Sequence, residues 1–276
     1  MICKLLGTGA AEGIPALFCK CEICTKAMQA GGRNIRGRSC LMVNDSVLID
    51  FPPDMLSYKI RDNLNLASIS DIFFTHSHFD HLSAGELCYF HNSYVRERNF
   101  DSVINIYGNS KVLEVIEAAL YFDMNFMPDS VVLNLLTAFK TVEIADLRIT
   151  ALPAVHDPNE ECFYFLIEQQ SSKVLLANDG GKFSDELYSY LADVQLNAVI
   201  LDCTGGKLEP AMKSHMCFAE NLEVMERLKA QGSADNATMF VSHHFSHNGL
   251  INYDDFEKVA KGSGFISSYD GMEICL

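Results

Sequence analysis

Residues 74–85, FTHSHFDHLSAG, place three histidines and an aspartate within six positions, directly after the apolar run ISDIFFT. In H-x-H-x-D-H, His76 and His78 alternate by two, as on an extended segment leaving a strand, and Asp80 and His81 follow in a turn. Two ligands therefore face one ion and two the next. Histidine with carboxylate suits zinc, or manganese and iron where oxygen ligands are richer. One zinc needs three or four ligands, so residues later in the chain must complete the cluster. His156 in LPAVHDP, Asp179 in LLANDGG, and His243, His244 and His247 in FVSHHFSHNG each stand where an expected strand ends. An α/β sheet carries its functional loops at such places. Singly, each has a plainer reading: Asp179 before two glycines suits a turn, and His91 in CYFHNSY reads as packed or solvated. Together with the dense cluster they point to metal.

The chain has 276 residues, 49 % of them hydrophobic, enough to bury a large core without disulfides. With no repeat, low-complexity tract or linker, one domain over residues 1–276 is expected. No run of 18 or more apolar residues occurs, and MICKLLGTGAAEG lacks a basic region before an apolar core, so a cytoplasmic protein without membrane contact is expected. Of ten cysteines, Cys3, Cys40, Cys88, Cys162, Cys203, Cys217 and Cys275 stand singly in apolar surroundings and read as packed thiols. A formal net charge of −15 argues against nucleic acid as a partner. A small phosphorylated substrate fits better, and a homodimer is compatible with this reading. One local exception is GGRNIRGRS, where Arg33, Arg36 and Arg38 gather. It is either a solvated loop or a phosphate-binding one, with Arg36 and Arg38 as the candidate substrate contacts.

Short β-like runs recur at ICKLLG, SCLMVN, SVLIDF, DIFFTH, SVINIYG, VEIADLRITALPA, CFYFLIE, KVLLAND, NAVILDC, ATMFVSH and GFISSYDGMEICL. Helical spacing marks NSKVLEVIEAALYF, FSDELYSYLAD, CFAENLEVMERLKAQG and YDDFEKVAKG. Strands in pairs, then strands alternating with helices, predict sheets covered by helices in a layered α/β arrangement. Gly7, Gly9 and Gly13 follow the first strand but miss the G-x-G-x-x-G spacing, and read as a tight turn passing close to a site. FCKCEIC sets Cys19, Cys21 and Cys24 in C-x-C-x-x-C spacing. Three thiolates so close favour a structural zinc that still needs a fourth ligand, with a redox pair as the runner-up.

T-H-S-H-F-D-H resembles the signature of the metallo-β-lactamase superfamily, and His156, Asp179 and the later SHH stand in the order of that superfamily's remaining motifs. The resemblance spans nearly the whole chain. It implies a four-layer αββα sandwich with a dinuclear centre along the sheet edges. His76, His78 and His156 would hold one metal, and Asp80, His81 and a C-terminal histidine the other. Asp179 would bridge both. The pattern GTGAAEG-P…C-x-C-x-x-C is similar to a phosphodiesterase branch that acts on phosphoribosyl 1,2-cyclic phosphate, which implies a zinc-binding insertion at about 15–40. In that branch a histidine three places after the last catalytic histidine completes the thiolate zinc. H-F-S-H then assigns His244 to the active site and His247 to the structural ion, although His243 leaves the register open by one residue. The same branch implies His215, in LDCTGGKLEPAMKSHM, as general acid or phosphate ligand. A solvated loop histidine is the alternative.

Two active-site cations, zinc or manganese, would lower the pKa of a shared water and clamp the attacking and leaving oxygens of a phosphodiester. His215 would protonate the leaving oxygen, and Asp80 would orient the nucleophile while ligating. Competing readings are a hydrolase of another ester, thioester or lactam, an enzyme of the cofactor-biosynthesis branch that shares the cysteine motif, a ribonuclease resembling tRNase Z, and a non-catalytic metal protein. A ribonuclease should carry a basic arm, and none is seen. Iron-based relatives tend to replace a cluster histidine with a carboxylate, whereas this chain keeps them all.

Overall fold

A computed structural model describes residues 1–91, 93–96, 103–124 and 128–276. Its first half sets β1 (Ile2–Gly7), β2 (Cys40–Val43), β3 (Val47–Ile49), β4 (Asp71–Phe73), β5 (Ile104–Gly108) and β6 (Val131–Leu135) side by side in that order. A second sheet likewise follows chain order through β7 (Thr141–Ile144), β8 (Leu147–Pro153), β9 (Phe163–Gln169), β10 (Ser172–Ala177), β11 (Ala198–Asp202), β12 (Met239–His243) and β13 (Phe265–Ser267). The last strand, β14 (Met272–Cys275), returns to the first sheet and pairs antiparallel with β1. Each sheet thus has seven strands among the described residues.

The run GFISSYDGMEICL divides between the two sheets, and VEIADLRITALPA divides into β7 and β8 at a turn where Ala145 takes a φ of 53°. The run SVINIYG opens at Ser102, outside the described residues. Helices are α1 (Glu22–Ala30), α2 (Met55–Asp62), α3 (Ser110–Met124), α4 (Asp185–Leu191), α5 (Phe218–Ala230) and α6 (Tyr253–Lys261). α1, α2 and β6 were not expected. The first two are nine and eight residues long, too short for an apolar stripe to repeat clearly.

The inner faces of the sheets meet in one core. Leu5, Val43, Ile49 and Phe73 pack against Ala151, Phe165, Ile167 and Leu176, with the Phe73 and Phe165 rings edge to face at 5.8 Å. α2 and α3 cover the outer face of the first sheet, with Tyr58, Val112 and Ile116 clustered with Leu48, Ile72 and Ile106. α4, α5 and α6 cover the second, with Leu187, Val224 and Phe256 clustered with Leu175, Val199 and Leu201. Burying each such side chain is worth about 1.5–3 kcal/mol, so strands apolar on both faces require layers on both sides. β11, AVILD, is buried at every residue, as a parallel strand between two layers must be. The αββα sandwich is the result.

Parallel pairing then aligns strand ends. Phe73 of β4 registers with Ile49 of β3, Ala177 of β10 with Leu201 of β11, and Asp202 with His243 of β12. Residues that follow these strands emerge along a shared edge. Six of the seven single cysteines are buried as expected. Cys275 is exposed, because it lies on the outward side of the edge strand β14, where burial alternates along the strand. No helix among the described residues is long and apolar enough to cross a membrane.

Candidate active site

Loop 74–82, leaving β4, carries His76, His78, Asp80 and His81. Asn178 and Asp179 follow β10, Asp202 closes β11, and His244 follows β12. The fold brings these together with His156, which follows β8, around the carboxylate of Asp179. Its Oδ2 lies 3.2 Å from His76 Nε2, 3.0 Å from His81 Nε2 and 3.4 Å from His156 Nε2. Its Oδ1 lies 3.2 Å from His215 Nδ1 and 3.8 Å from His244 Nδ1. Two ligand groups share this residue. One comprises His76, His78, His156 and Asp179, the other Asp80, His81, Asp179 and His244, each with ligand atoms mutually within 4.8 Å.

Each histidine is tied down on its outer side. His81 Nδ1 meets Asp50 Oδ2 at 2.6 Å and His76 Nδ1 meets Thr75 Oγ1 at 2.9 Å. His156 Nδ1 faces the Ser214 carbonyl at 3.2 Å, and His78 Nε2 faces Asp157 Oδ2 at 3.2 Å. His244 Nδ1 meets Thr204 Oγ1 at 2.9 Å, and that hydroxyl in turn lies 2.8 Å from Asp202 Oδ2. With the proton on the outer nitrogen, the inner one presents a lone pair to the centre, the tautomer a metal ligand needs. His76 Nε2, His81 Nε2, His244 Nε2 and Asp179 Oδ1 are buried with no hydrogen-bond partner. Buried polar atoms rarely stay unpaired, and donors converging on one centre without bonding to each other fit a pair of divalent cations.

The electrostatics agree. Burial alone would raise the Asp179 carboxyl, but the charge of His244 and the close ring nitrogens of His215, His76 and His81 hold it well below the usual range. Burial opposes charge on His81 too, yet Asp80 and Asp50 keep that ring well above its ordinary value. Asp202 is likewise pulled down to about 2 against its burial, by His215 and His244. The pocket is an anionic cage that calls for positive charge. Asp50, Asp179 and His244 all have a left-handed backbone, at φ 67°, 50° and 57°, a conformation that costs non-glycine residues of order 1–3 kcal/mol each and gathers at functional sites.

His215 lines the cleft with its Nδ1 3.2 Å from Asp179 Oδ1 and 3.5 Å from Asp202 Oδ2. It stands within ligand distance of Asp179, Asp202 and His244, so the structure places it beside the second ligand group and not in a solvated loop. His243 turns the opposite way, into the interior, between Ser39 Oγ at 3.0 Å and Ser268 Oγ at 3.3 Å. His244 is the residue that faces the cleft.

Beside the cleft, α1 presents the thiolate motif. Cys21 is its N-cap, and His247 Nδ1 stands 3.5 Å from Cys19 Sγ and 3.4 Å from Cys21 Sγ. With Cys24 these form a four-ligand group of the Cys3His kind used for structural zinc. Burial works against the Cys21 thiolate, but the Cys24 amide and His247 bring its pKa down to about 6.

The arginine cluster is placed elsewhere. Arg36 is 3 % exposed; its guanidinium donates to Thr8 Oγ1 at 2.8 Å and to the Ser268 carbonyl at 2.7 Å, and lies 4.2 Å from the Phe245 ring centroid. Arg38 spans the Ala11 carbonyl and Asp54, and Arg33 stacks on Tyr269 at 3.9 Å. None of the three lines the cleft. Arg36 and Arg38, the expected substrate contacts, are thus engaged by other groups of the chain, Arg36 in the interior and Arg38 between the exposed Ala11 carbonyl and Asp54. Gly13, at φ 68°, closes the turn on this segment, where Ile14 and Arg36 form a β-bridge. Asp50 and Asp202 went unread in the sequence although each ends an apolar strand-like run, LID and ILD, as Asp179 follows LLAN.

Residues 46–244 match the model of the β-lactamase superfamily domain. The chain belongs to the metallo-β-lactamase superfamily, a superfamily of metal-dependent hydrolases. Among solved structures it resembles a diphosphatase of the PhnP family (TM-score 0.74, 19 % identity, covering 100 % of this chain and 97 % of that one). It also resembles the Zn2+-bound PqqB of Methylobacterium extorquens (TM-score 0.71, 17 % identity, 100 % of both) and the short form of human tRNase Z (TM-score 0.66, 17 % identity, 100 % and 99 %). A curated relative, an octanoyltransferase of Porphyromonas gingivalis (strain ATCC BAA-308 / W83), is 26 % identical over 163 residues, 56 % of this chain. The chain covers only 31 % of that relative's length.

Proposed function

We propose that the chain is a phosphoric diester hydrolase for a small phosphorylated substrate, using two divalent cations, zinc or manganese, in the cleft, with a structural zinc on Cys19, Cys21, Cys24 and His247. The observation that carries this reading is Asp179, one carboxylate shared by two complete ligand groups. A cation pair held there supplies Lewis acidity to two oxygens of an in-line displacement and makes water nucleophilic near neutrality.

The chain's own residues supply the rest. Burial opposes the Asp80 carboxylate, but His81 holds its pKa below the usual range, so it is ionised at neutral pH and orients the attacking water by accepting a hydrogen bond. His215 Nδ1 lies 3.2 Å from Asp179 Oδ1 and 3.5 Å from Asp202 Oδ2, two acids that favour its protonated form, and we assign it the donation of a proton to the leaving oxygen. Asp202 positions both His215 and His244. Leu208, Pro210, Ala211 and Met212 form an apolar wall of a cleft of about 540 Å³, which limits water around the reacting bond.

No lysine or arginine lines that cleft among the described residues. A polynucleotide, whose binding relies on cationic contacts along the backbone, finds no track there, and this favours a small diester. A diphosphatase and a tRNase share the fold, which supports a phosphorus–oxygen bond as the target by analogy alone.

The test is hydrolysis of bis(p-nitrophenyl) phosphate, p-nitrophenyl phosphate and a chromogenic β-lactam by metal-analysed protein, with Asp80→Ala and His215→Ala as controls. Diester cleavage that falls at least a hundredfold in both variants is expected. Turnover of the lactam or the monoester without the diester would overturn the reading.

A further inference from the structure

Glu12 sits in the tight turn after β1 and, with Ala10 and Ala11, lines the cleft that holds Asp80 and His215. Its Oε1 accepts from the hydroxyl of Ser246, a group that is itself held by the Asn248 amide at 3.0 Å. The same oxygen lies 3.4 Å from His247 Nε2. Because His247 turns Nδ1 to the thiolates, its Nε2 is the nitrogen left on the side of Glu12. The Ser246 hydroxyl therefore holds this carboxylate oxygen, with the His247 ring beside it, as outer partners orient ligands elsewhere in the protein. Glu12 Oε2 has no hydrogen bond or ion pair among the described residues, and the side chain is 30 % exposed. One carboxylate oxygen is thus held by Ser246, and the other has no partner among the described residues in a side chain that lines the cleft.

We infer that Glu12 is a specificity-determining residue whose free oxygen accepts a hydrogen bond from a sugar or polyol hydroxyl on the non-reacting arm of the diester. This deepens the phosphodiesterase reading and rests on it. Three features select that ligand chemistry. A fixed carboxylate accepts and cannot donate, so it recognises a hydrogen-bond donor, which on the arm of a phosphodiester made from a sugar or polyol is a hydroxyl. It repels a second phosphate or a carboxylate at that end, and among the described residues no lysine or arginine lines the cleft to offset the repulsion. The wall beside it joins Thr204 and Asn248 to Leu208 and Met212, polar and apolar surfaces together, as the two faces of a sugar require. The preferred substrate is a diester monoanion with free hydroxyls and no terminal phosphate.

The test compares the metal-loaded wild type with Glu12→Gln on three diesters: uridine 5′-(p-nitrophenyl) phosphate, its 3′-phosphorylated form, and bis(p-nitrophenyl) phosphate, which has no hydroxyl. A hydrogen bond to a charged acceptor corresponds to about a tenfold or larger effect. The expected result is a roughly tenfold fall in kcat/KM for the uridine ester relative to bis(p-nitrophenyl) phosphate. The 3′-phosphorylated ester should gain on the uridine ester by a similar factor, as the repelling charge is removed. Zinc content and Tm are measured on the same samples, since a purely structural role moves all three substrates together and lowers both. Parallel changes in all three, or unchanged ratios, overturn the inference while leaving the phosphodiesterase reading intact. A wild type that cleaves none of the three overturns both.

Discussion

His81 Nδ1 lies 2.6 Å from Asp50 Oδ2, and Asp50 holds that position from a left-handed backbone at φ 67° immediately after β3. Thr75 adds its amide and hydroxyl to the same carboxylate at 2.9–3.0 Å. A buried acid behind a ligand histidine fixes the ring's orientation and raises its basicity.

Asp50→Asn should weaken metal binding in the cleft by about 10–100-fold, the usual range for losing such an outer partner, while leaving the thiolate ion in place. Competition against a chromophoric chelator measures it. Unchanged affinity would show that His81 is oriented by Thr75 alone.

Cys21→Ser removes a thiolate that caps α1 and stands beside His247. Structural metal binding is folding free energy. The variant should lose one zinc per chain by elemental analysis, and a cost of about 2–3 kcal/mol would lower Tm by roughly 5–10 °C. Full zinc content with an unchanged Tm would favour a redox role for the cysteines.

Arg36→Met empties an interior position where Thr8 Oγ1 and the Ser268 carbonyl lose their donor. Leaving such acceptors unpaired predicts a loss of about 2–4 kcal/mol in urea unfolding, with the diester KM within twofold of wild type. A raised KM at unchanged stability would return this guanidinium to substrate binding.

Asp270 gives a pH signature. Burial raises its pKa from 3.8 to about 6, outweighing the Gly37 amide, the Thr8 hydroxyl and the charges of Arg61 and Arg36. The folded chain then keeps a proton that the unfolded chain releases between pH 4 and 6. Stability from this group is fully present below pH 4 and is lost as pH rises through 6, by about 3 kcal/mol. Asp270→Asn lacks this titration, so its Tm measured against wild type should rise by roughly 5–10 °C from pH 4 to pH 7. A flat difference would place Asp270 among ordinary carboxylates.

Much of the site is written in short stretches of sequence. H-x-H-x-D-H and C-x-C-x-x-C are legible because their candidate ligands are close neighbours along the chain, and ligand chemistry restricts which residues and spacings can hold an ion. His156 and Asp179 are legible because apolar runs announce the strand ends that carry them. The layered α/β class follows from the same runs, since strands apolar on both faces must be covered on both. Tertiary structure decided the rest. His243 and His244 are chemically identical neighbours, and the left-handed turn at His244, next to the bridge between Gly9 and Phe245, sends one to the cleft and the other to the interior. Arg36 reads as a surface cation until Thr8, Phe245 and Ser268 close around it. Asp50, Asp202 and Glu12 gain their roles from partners that the folded chain alone sets beside them. A side chain's type and its local spacing are properties of the sequence, but its direction and its partners come from contacts between residues as many as 262 positions apart, which exist only once the sheets have packed.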